Sequence, residues 1–181
     1  MKKLIIVTGA LATGKSTYSK ILSDKFNIPV INKDDIKEKL SDIFGFESRE
    51  ENLRLSYATY QMMKYYLIKN MEVGCDLILE ANFHQEEIEE LEKLTNDYNY
   101  DSLILVFYGD TNILFNRFVS RSKENRHKCH LSGPTTLKSF SEYIEINNNI
   151  KYTHKKKLIN ANDFSYQTDS SLLDEINEFL K

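Results

Sequence analysis

The stretch Gly9-Ala10-Leu11-Ala12-Thr13-Gly14-Lys15-Ser16 follows the apolar run Leu4-Ile5-Ile6-Val7 and opens a helical pattern. Two glycines bracket four residues, and a lysine and a hydroxyl follow at once, the spacing G-x-x-x-x-G-K-[ST]. The glycines let the backbone curl so that successive N–H groups converge on one point, where an anion's oxygens fit. A helix beginning near Lys15 adds its positive end to the same point. On this pattern Gly9, Ala12, Thr13, Gly14, Lys15, Ser16 and Thr17 form a cradle for a nucleoside triphosphate. Lys15 would reach the β and γ oxygens, and the Ser16 hydroxyl would coordinate Mg²⁺. Such a loop needs a strand before it and a helix after it, which commits the chain to an α/β fold.

The rest of the chain keeps that alternation. Apolar, β-branched runs recur at residues 4–8, 28–32, 76–80, 103–108 and 157–161. Each is nearly continuous rather than alternating, as in parallel strands covered on both faces. Helical patterns fill the gaps at 15–26, 34–43, 48–72, 85–98, 111–121, 137–147 and 171–180. The longest opens with the capping-box spelling Ser48-Arg49-Glu50-Glu51 and stops at Gly74, with Tyr57, Tyr60, Met63, Leu67 and Met71 expected in the core. Five strands separated by helices predict a mainly parallel sheet in one domain spanning residues 1–181. A net charge of −3 gives no support to a surface that coats nucleic acid broadly, although a local basic channel stays open. Cys75 and Cys129 lie too far apart in sequence for a disulfide framework, which favours a reducing compartment. The apolar run after Met1-Lys2-Lys3 is short for a signal segment, and no stretch approaches membrane-spanning length. The expectation is a soluble cytoplasmic chain without membrane contact.

Candidate chemistry clusters after the strands. Asn32-Lys33-Asp34-Asp35 spells the guanine-reading pattern N-K-x-D, but it follows the second strand rather than a late one, so we read the match as coincidence. Asp34 and Asp35 are instead candidates to take the proton from an attacking hydroxyl, with Asp34, first after the strand, preferred. The alternative is that both merely cap the next helix. Glu80, closing the third strand, can hold Mg²⁺ through water or position the attacking group, and Asn82 beyond it can touch an acceptor. Asp76, at the other end of that strand, is expected at the surface, and His84 at a helix start. Arg117 and Arg121 share one helix face aimed towards the irregular stretch 122–136, which contains Arg126 and which we read as a mobile flap. Arginines there can stabilise charge on a transferring phosphoryl group. His127, Cys129 and His130 lack the distant second pair of ligands a structural zinc site uses. Lys155-Lys156-Lys157, with Tyr152 and His154, reads as a solvated approach to a strand or as a polyanion contact.

Together, "MKKLIIVTGALATGKST", "INKDDIKEKL", "LILEANF" and "FNRFVSR" with its downstream arginine resemble the small P-loop kinases. These include polynucleotide 5′-hydroxyl kinases, zeta-toxin-like kinases and chloramphenicol phosphotransferases. The likeness is closest to the kinase module of the phage-type polynucleotide kinase. It spans residues 1 to about 130, with only the final strand and helix matching beyond. It implies a P-loop NTPase three-layer sandwich with sheet order 2-3-1-4-5, an adenylate-kinase-like lid at about 117–136, and ATP with Mg²⁺ as donor. By motif position it makes Asp34 the general base, Glu80 the acid on the third strand, and Arg117, Arg121 and Arg126 the lid arginines. Lys37 stands where polynucleotide kinases favour an arginine that grips substrate phosphate, and Asp35, Lys37 and Asn82 are the candidate acceptor contacts. The expected activity is ATP-dependent phosphorylation of a hydroxyl on a small molecule such as a nucleoside, sugar or antibiotic. A polynucleotide 5′-hydroxyl is the rival acceptor, and a toxin-like regulator with slow ATPase activity the rival from another class.

Overall fold

The computed structural model describes residues 1–123, 126–130 and 133–181. Five strands, β1 (Lys2–Gly9), β2 (Val30–Asn32), β3 (Leu77–Glu80), β4 (Tyr100–Tyr108) and β5 (Lys155–Asn160), form one all-parallel sheet of order β2-β3-β1-β4-β5. Seven α-helices are described: α1 (Lys15–Phe26), α2 (Lys33–Phe44), α3 (Arg49–Val73), α4 (Gln85–Asp97), α5 (Thr111–Ser122), α6 (Leu137–Asn148) and α7 (Ser170–Leu180).

Successive side chains of a strand point to opposite faces, and here both faces are buried. Leu4 and Ile6 join Tyr60, Met63, Leu67 and Met71 of α3 and Ile88 and Leu91 of α4 on one side. Ile5 and Val7 join Tyr18 and Leu22 of α1 and Leu172 and Ile176 of α7 on the other. This double covering is why β1, β3 and β4 run apolar without alternation. A smaller cluster of Ala10, Leu114, Phe118, Phe140 and Ile144 packs α5 and α6 against the loop after β1.

Several boundaries differ from expectation. β2 starts at Val30, not residue 28, because Pro29 has no N–H to pair; its carbonyl accepts from the Ile78 N–H at 3.0 Å. β4 begins at Tyr100, opposite Lys2. β5 takes in the three lysines themselves, and as an edge strand it gains from charges that discourage pairing with another chain. Tyr57 is 69% exposed and not in the core, lying at the rim of the α3 stripe that buries Tyr60. Neither Asp34 nor Asp35 caps α2: both lie in its first turn, and Asn32 is the cap. No helix among the described residues is long and apolar enough to cross a membrane.

Candidate active site

The loop after β1 is shaped by contacts no side chain could share. Gly9 (φ +115°) lies against the Phe107 backbone of β4, and a Cβ there would collide with the Phe107 carbonyl oxygen. At Gly14 (φ +84°) a Cβ would meet the Tyr166 hydroxyl. Only glycine takes both conformations without strain. The Thr13 hydroxyl turns inward to the Ala10 carbonyl (2.8 Å), and the Tyr166 hydroxyl donates to the Thr13 carbonyl (2.7 Å). The loop is thus held from inside and from the turn Ser165–Thr168 before α7.

Lys15 is buried within this loop, its Nζ donating to the carbonyls of Gly9 (3.0 Å) and Ala10 (2.6 Å). Burial brings its pKa down to about 8, opposed by the charges of Glu80 and Asp34. Ser16 and Thr17 are exposed at the start of α1. The Ser16 hydroxyl donates to Glu80 Oε2 at 2.9 Å. Glu80 is buried at the carboxyl end of β3, and burial raises its pKa, partly offset by Lys15 and by the Ser16 hydroxyl. Asn32, at the end of β2, donates its amide to the same Glu80 oxygen.

Two cavities meet here. The first, about 560 Å³, is lined by residues 11–17, Asp34, Glu80, Asn82, Arg117, Arg121, Arg126 and Phe164 among others. The second, about 500 Å³, is lined by Ser16, Asn32, Asp34, Asp35, Glu38, Arg121, Arg126, His127 and His130. Ser16, Asp34, Arg121 and Arg126 belong to both walls. A hydroxyl compound in the second cavity can therefore approach a phosphate in the first past a carboxylate that can take its proton and two guanidiniums that can bear charge.

The three arginines do not occupy equivalent places. Arg117 donates to the carbonyls of Ala161 and Asn162, each at 2.5 Å, and its guanidinium lies 4.3 Å from the Phe164 ring centre. It lines only the first cavity, while Arg121 and Arg126 line both; Arg126 also lies 5.3 Å from the Phe118 ring centre. The flap at 122–136 and the lid at about 117–136 include Glu124, Asn125, Leu131 and Ser132, which lie outside the described residues.

Around the second cavity, burial raises the pKa of the Asp35 carboxyl, with Glu38 and Asp34 adding repulsion. Lys37 is committed elsewhere: its Nζ donates to the Cys129 carbonyl at 3.2 Å, which also accepts from Asn52 Nδ2 at 3.1 Å. His127 and His130 turn to different carboxylates of α2, Asp42 at 3.0 Å and Glu38 at 2.9 Å, and His130 Nδ1 lies 3.9 Å from Asp34. Asn82 reaches the first cavity, whereas His84 sits at the start of α4, its N–H bonded to Glu87. Asp76 lies at the opposite end of β3, accepting from the Lys3 N–H at 2.8 Å. The lysine run is likewise remote in the sheet. Lys157 pairs with Glu175, and His154 Nδ1 contacts the Ser102 hydroxyl at 2.6 Å.

Sequence reasoning missed three contributors. Asn32 entered only as part of a discounted motif, although an Asn between a strand and two acids is itself a capping signal. Phe164 and Tyr166 carry no local signal, because only the return of β5 brings the following turn under the phosphate loop.

A glycine-built loop with a buried lysine, at the carboxyl ends of a 2-3-1-4-5 parallel sheet, is the fold of the small P-loop kinases. The chain belongs to the AAA domain family, whose family model matches residues 4–136. Solved structures share the fold nearly end to end. One assigned as a kinase from Chloroflexus aurantiacus J-10-fl matches with TM-score 0.85 at 21% identity, covering 99% of this chain and 98% of its own. A gluconokinase from Sinorhizobium meliloti 1021 matches with TM-score 0.62 at 10% identity, covering 98% and 93%. A shikimate kinase from Bacteroides thetaiotaomicron matches with TM-score 0.57 at 18% identity, covering 97% and 98%.

Proposed function

We propose that this protein transfers the γ-phosphoryl group of ATP to a hydroxyl of a small molecule, with Mg²⁺ as cofactor. The observation that carries the reading is the position of Asp34 on the wall shared by the two cavities, within the electrostatic reach of Lys15. The donor occupies the first cavity, phosphates on the loop backbone and Lys15, base towards Arg117 and Phe164. The acceptor occupies the second, its hydroxyl giving its proton to Asp34 as it attacks, and Arg121 and Arg126 bear the charge that spreads over the γ oxygens.

The residues fit magnesium. Ser16 Oγ and Glu80 Oε2 are oxygen donors 2.9 Å apart beside the loop, and Glu80 is a buried carboxylate for which a cation relieves the cost of ionisation. Bound there, Mg²⁺ would neutralise phosphate charge.

A small acceptor is favoured over a polynucleotide by Lys37, whose ammonium is already bonded to the Cys129 carbonyl instead of facing the acceptor cavity. In the second cavity three carboxylates, Asp34, Asp35 and Glu38, outnumber the guanidiniums of Arg121 and Arg126, a balance that disfavours a phosphodiester backbone. A fold shared with a gluconokinase and a shikimate kinase points the same way. Incubation with γ-labelled ATP and a panel of sugars, nucleosides, hydroxylated antibiotics and 5′-hydroxyl oligonucleotides tests the reading. Label is expected on a small molecule. Label on the oligonucleotide alone would replace the acceptor class, and slow release of inorganic phosphate with every compound would favour a regulator over an enzyme.

A further inference from the structure

Asn32-Lys33-Asp34-Asp35 imitates a guanine-reading motif, and the fold employs each residue otherwise. Lys33 pairs with Glu87 at 2.8 Å, both side chains 15% exposed, and lies 5.3 Å from the Tyr60 ring centre. Asn32 ends β2 and stands in register with Glu80 of β3. Its Oδ1 accepts from the backbone N–H groups of Asp34 (2.7 Å) and Asp35 (3.2 Å). Those two donors fix the orientation of the amide, since only oxygen can receive them. The NH₂ group must then face the other way, where it meets Glu80 Oε2. That oxygen is also the acceptor of the Ser16 hydroxyl.

Capping alone does not require asparagine. Serine, threonine or aspartate would accept the same N–H groups, and aspartate would set a second carboxylate against Glu80. Asparagine supplies the acceptor for one element and the donor for the other in one short side chain. We propose, resting on the kinase reading above, that Asn32 is a positioning residue. It fixes Glu80 Oε2 beside Ser16, ready for the metal that accompanies the nucleotide, while it sets the first turn of α2 that carries Asp34. Although Asn32 also stands in the wall of the second cavity, this role is exercised through the groups it orients.

Asn32→Ser and Asn32→Thr keep a capping oxygen and lose the NH₂ donor, whereas Asn32→Ala loses both. Melting temperature and ADP affinity, measured by calorimetry with and without Mg²⁺, separate the two roles. The serine and threonine variants are expected to melt close to wild type and to bind metal-free ADP as wild type does. The additional affinity that Mg²⁺ confers on ADP should fall about 10-fold in both. Asn32→Ala should show the same loss together with a lower melting temperature. If serine and threonine keep the full Mg²⁺ enhancement, Asn32 is a cap and the inference fails while the kinase reading stands. If the wild-type protein binds no ADP under any condition, the kinase reading fails and takes the inference with it.

Discussion

In the proposed reaction Lys15 supplies the charge that meets the phosphates, and its surroundings work against that charge. Its partners in the free protein are carbonyls and the Thr13 hydroxyl, and burial brings its pKa down to about 8. Phosphates bind the ammonium form, so below pH 8 the group is already charged and affinity for ADP should be flat. Above pH 8 binding must first restore a proton, and affinity should fall by up to about tenfold per pH unit. Titration calorimetry from pH 6.5 to 9.5 in buffers of different ionisation enthalpy checks this through the proton taken up. Constant affinity without uptake would mean that Lys15 does not face the phosphates. Lys15→Ala should leave the fold intact and lower phosphoryl transfer by about 10²–10³, the usual loss for a preorganised charge at the transferring group. Such residues were legible because their spacing is local. Gly9, Gly14, Lys15 and Ser16 occupy fixed steps along one turn, and Asp34 and Glu80 each close an apolar run.

At the scale of elements, the inner strands β1, β3 and β4 could be read because both their faces are buried, so composition alone marked them, whereas the edge strand β5 opens with three lysines. Their ends were less legible. The start of β2 depends on Pro29, and the reach of β4 back to Tyr100 depends on pairing with Lys2, a partner nearly a hundred positions away. The turn Ser165–Thr168 was invisible for the same reason, yet it supports the phosphate loop. Tyr166 is buried edge-on against Tyr18 and Phe107, ring centres 5.4 and 5.2 Å away, with its hydroxyl on the Thr13 carbonyl. Tyr166→Phe keeps the ring packing and removes that hydrogen bond, which should cost about 1 kcal/mol of stability in urea denaturation. Because the bond ends on the loop itself, ADP affinity should fall severalfold as well. An unchanged affinity would show that the loop needs no support from the turn before α7.

For the whole molecule, periodicity predicted a parallel α/β sheet, but the strand order 2-3-1-4-5 came from family resemblance and is the order the structure has. Charge distribution bears on the acceptor. The chain carries a net −3, the lysine run lies in the edge strand β5, and Lys37 is bonded to a backbone carbonyl. Binding of a single-stranded oligonucleotide should therefore be weak, with a shallow dependence on salt. Tight binding with a steep negative slope of log affinity against log salt would indicate many phosphate contacts and reverse the ranking of acceptors. In the proposed reaction, transfer happens where the two cavities share Asp34. Turnover and ATP affinity of Asp34→Asn, beside Asp35→Asn, test it most directly. The amide keeps the size of the carboxylate, and Asn32 remains the cap, so folding and ATP affinity should stay near wild type. Asparagine cannot take the proton, so transfer to the acceptor should fall by about 10²–10⁴, with a milder loss in Asp35→Asn. Full turnover in Asp34→Asn, with or without a loss in Asp35→Asn, would contradict it.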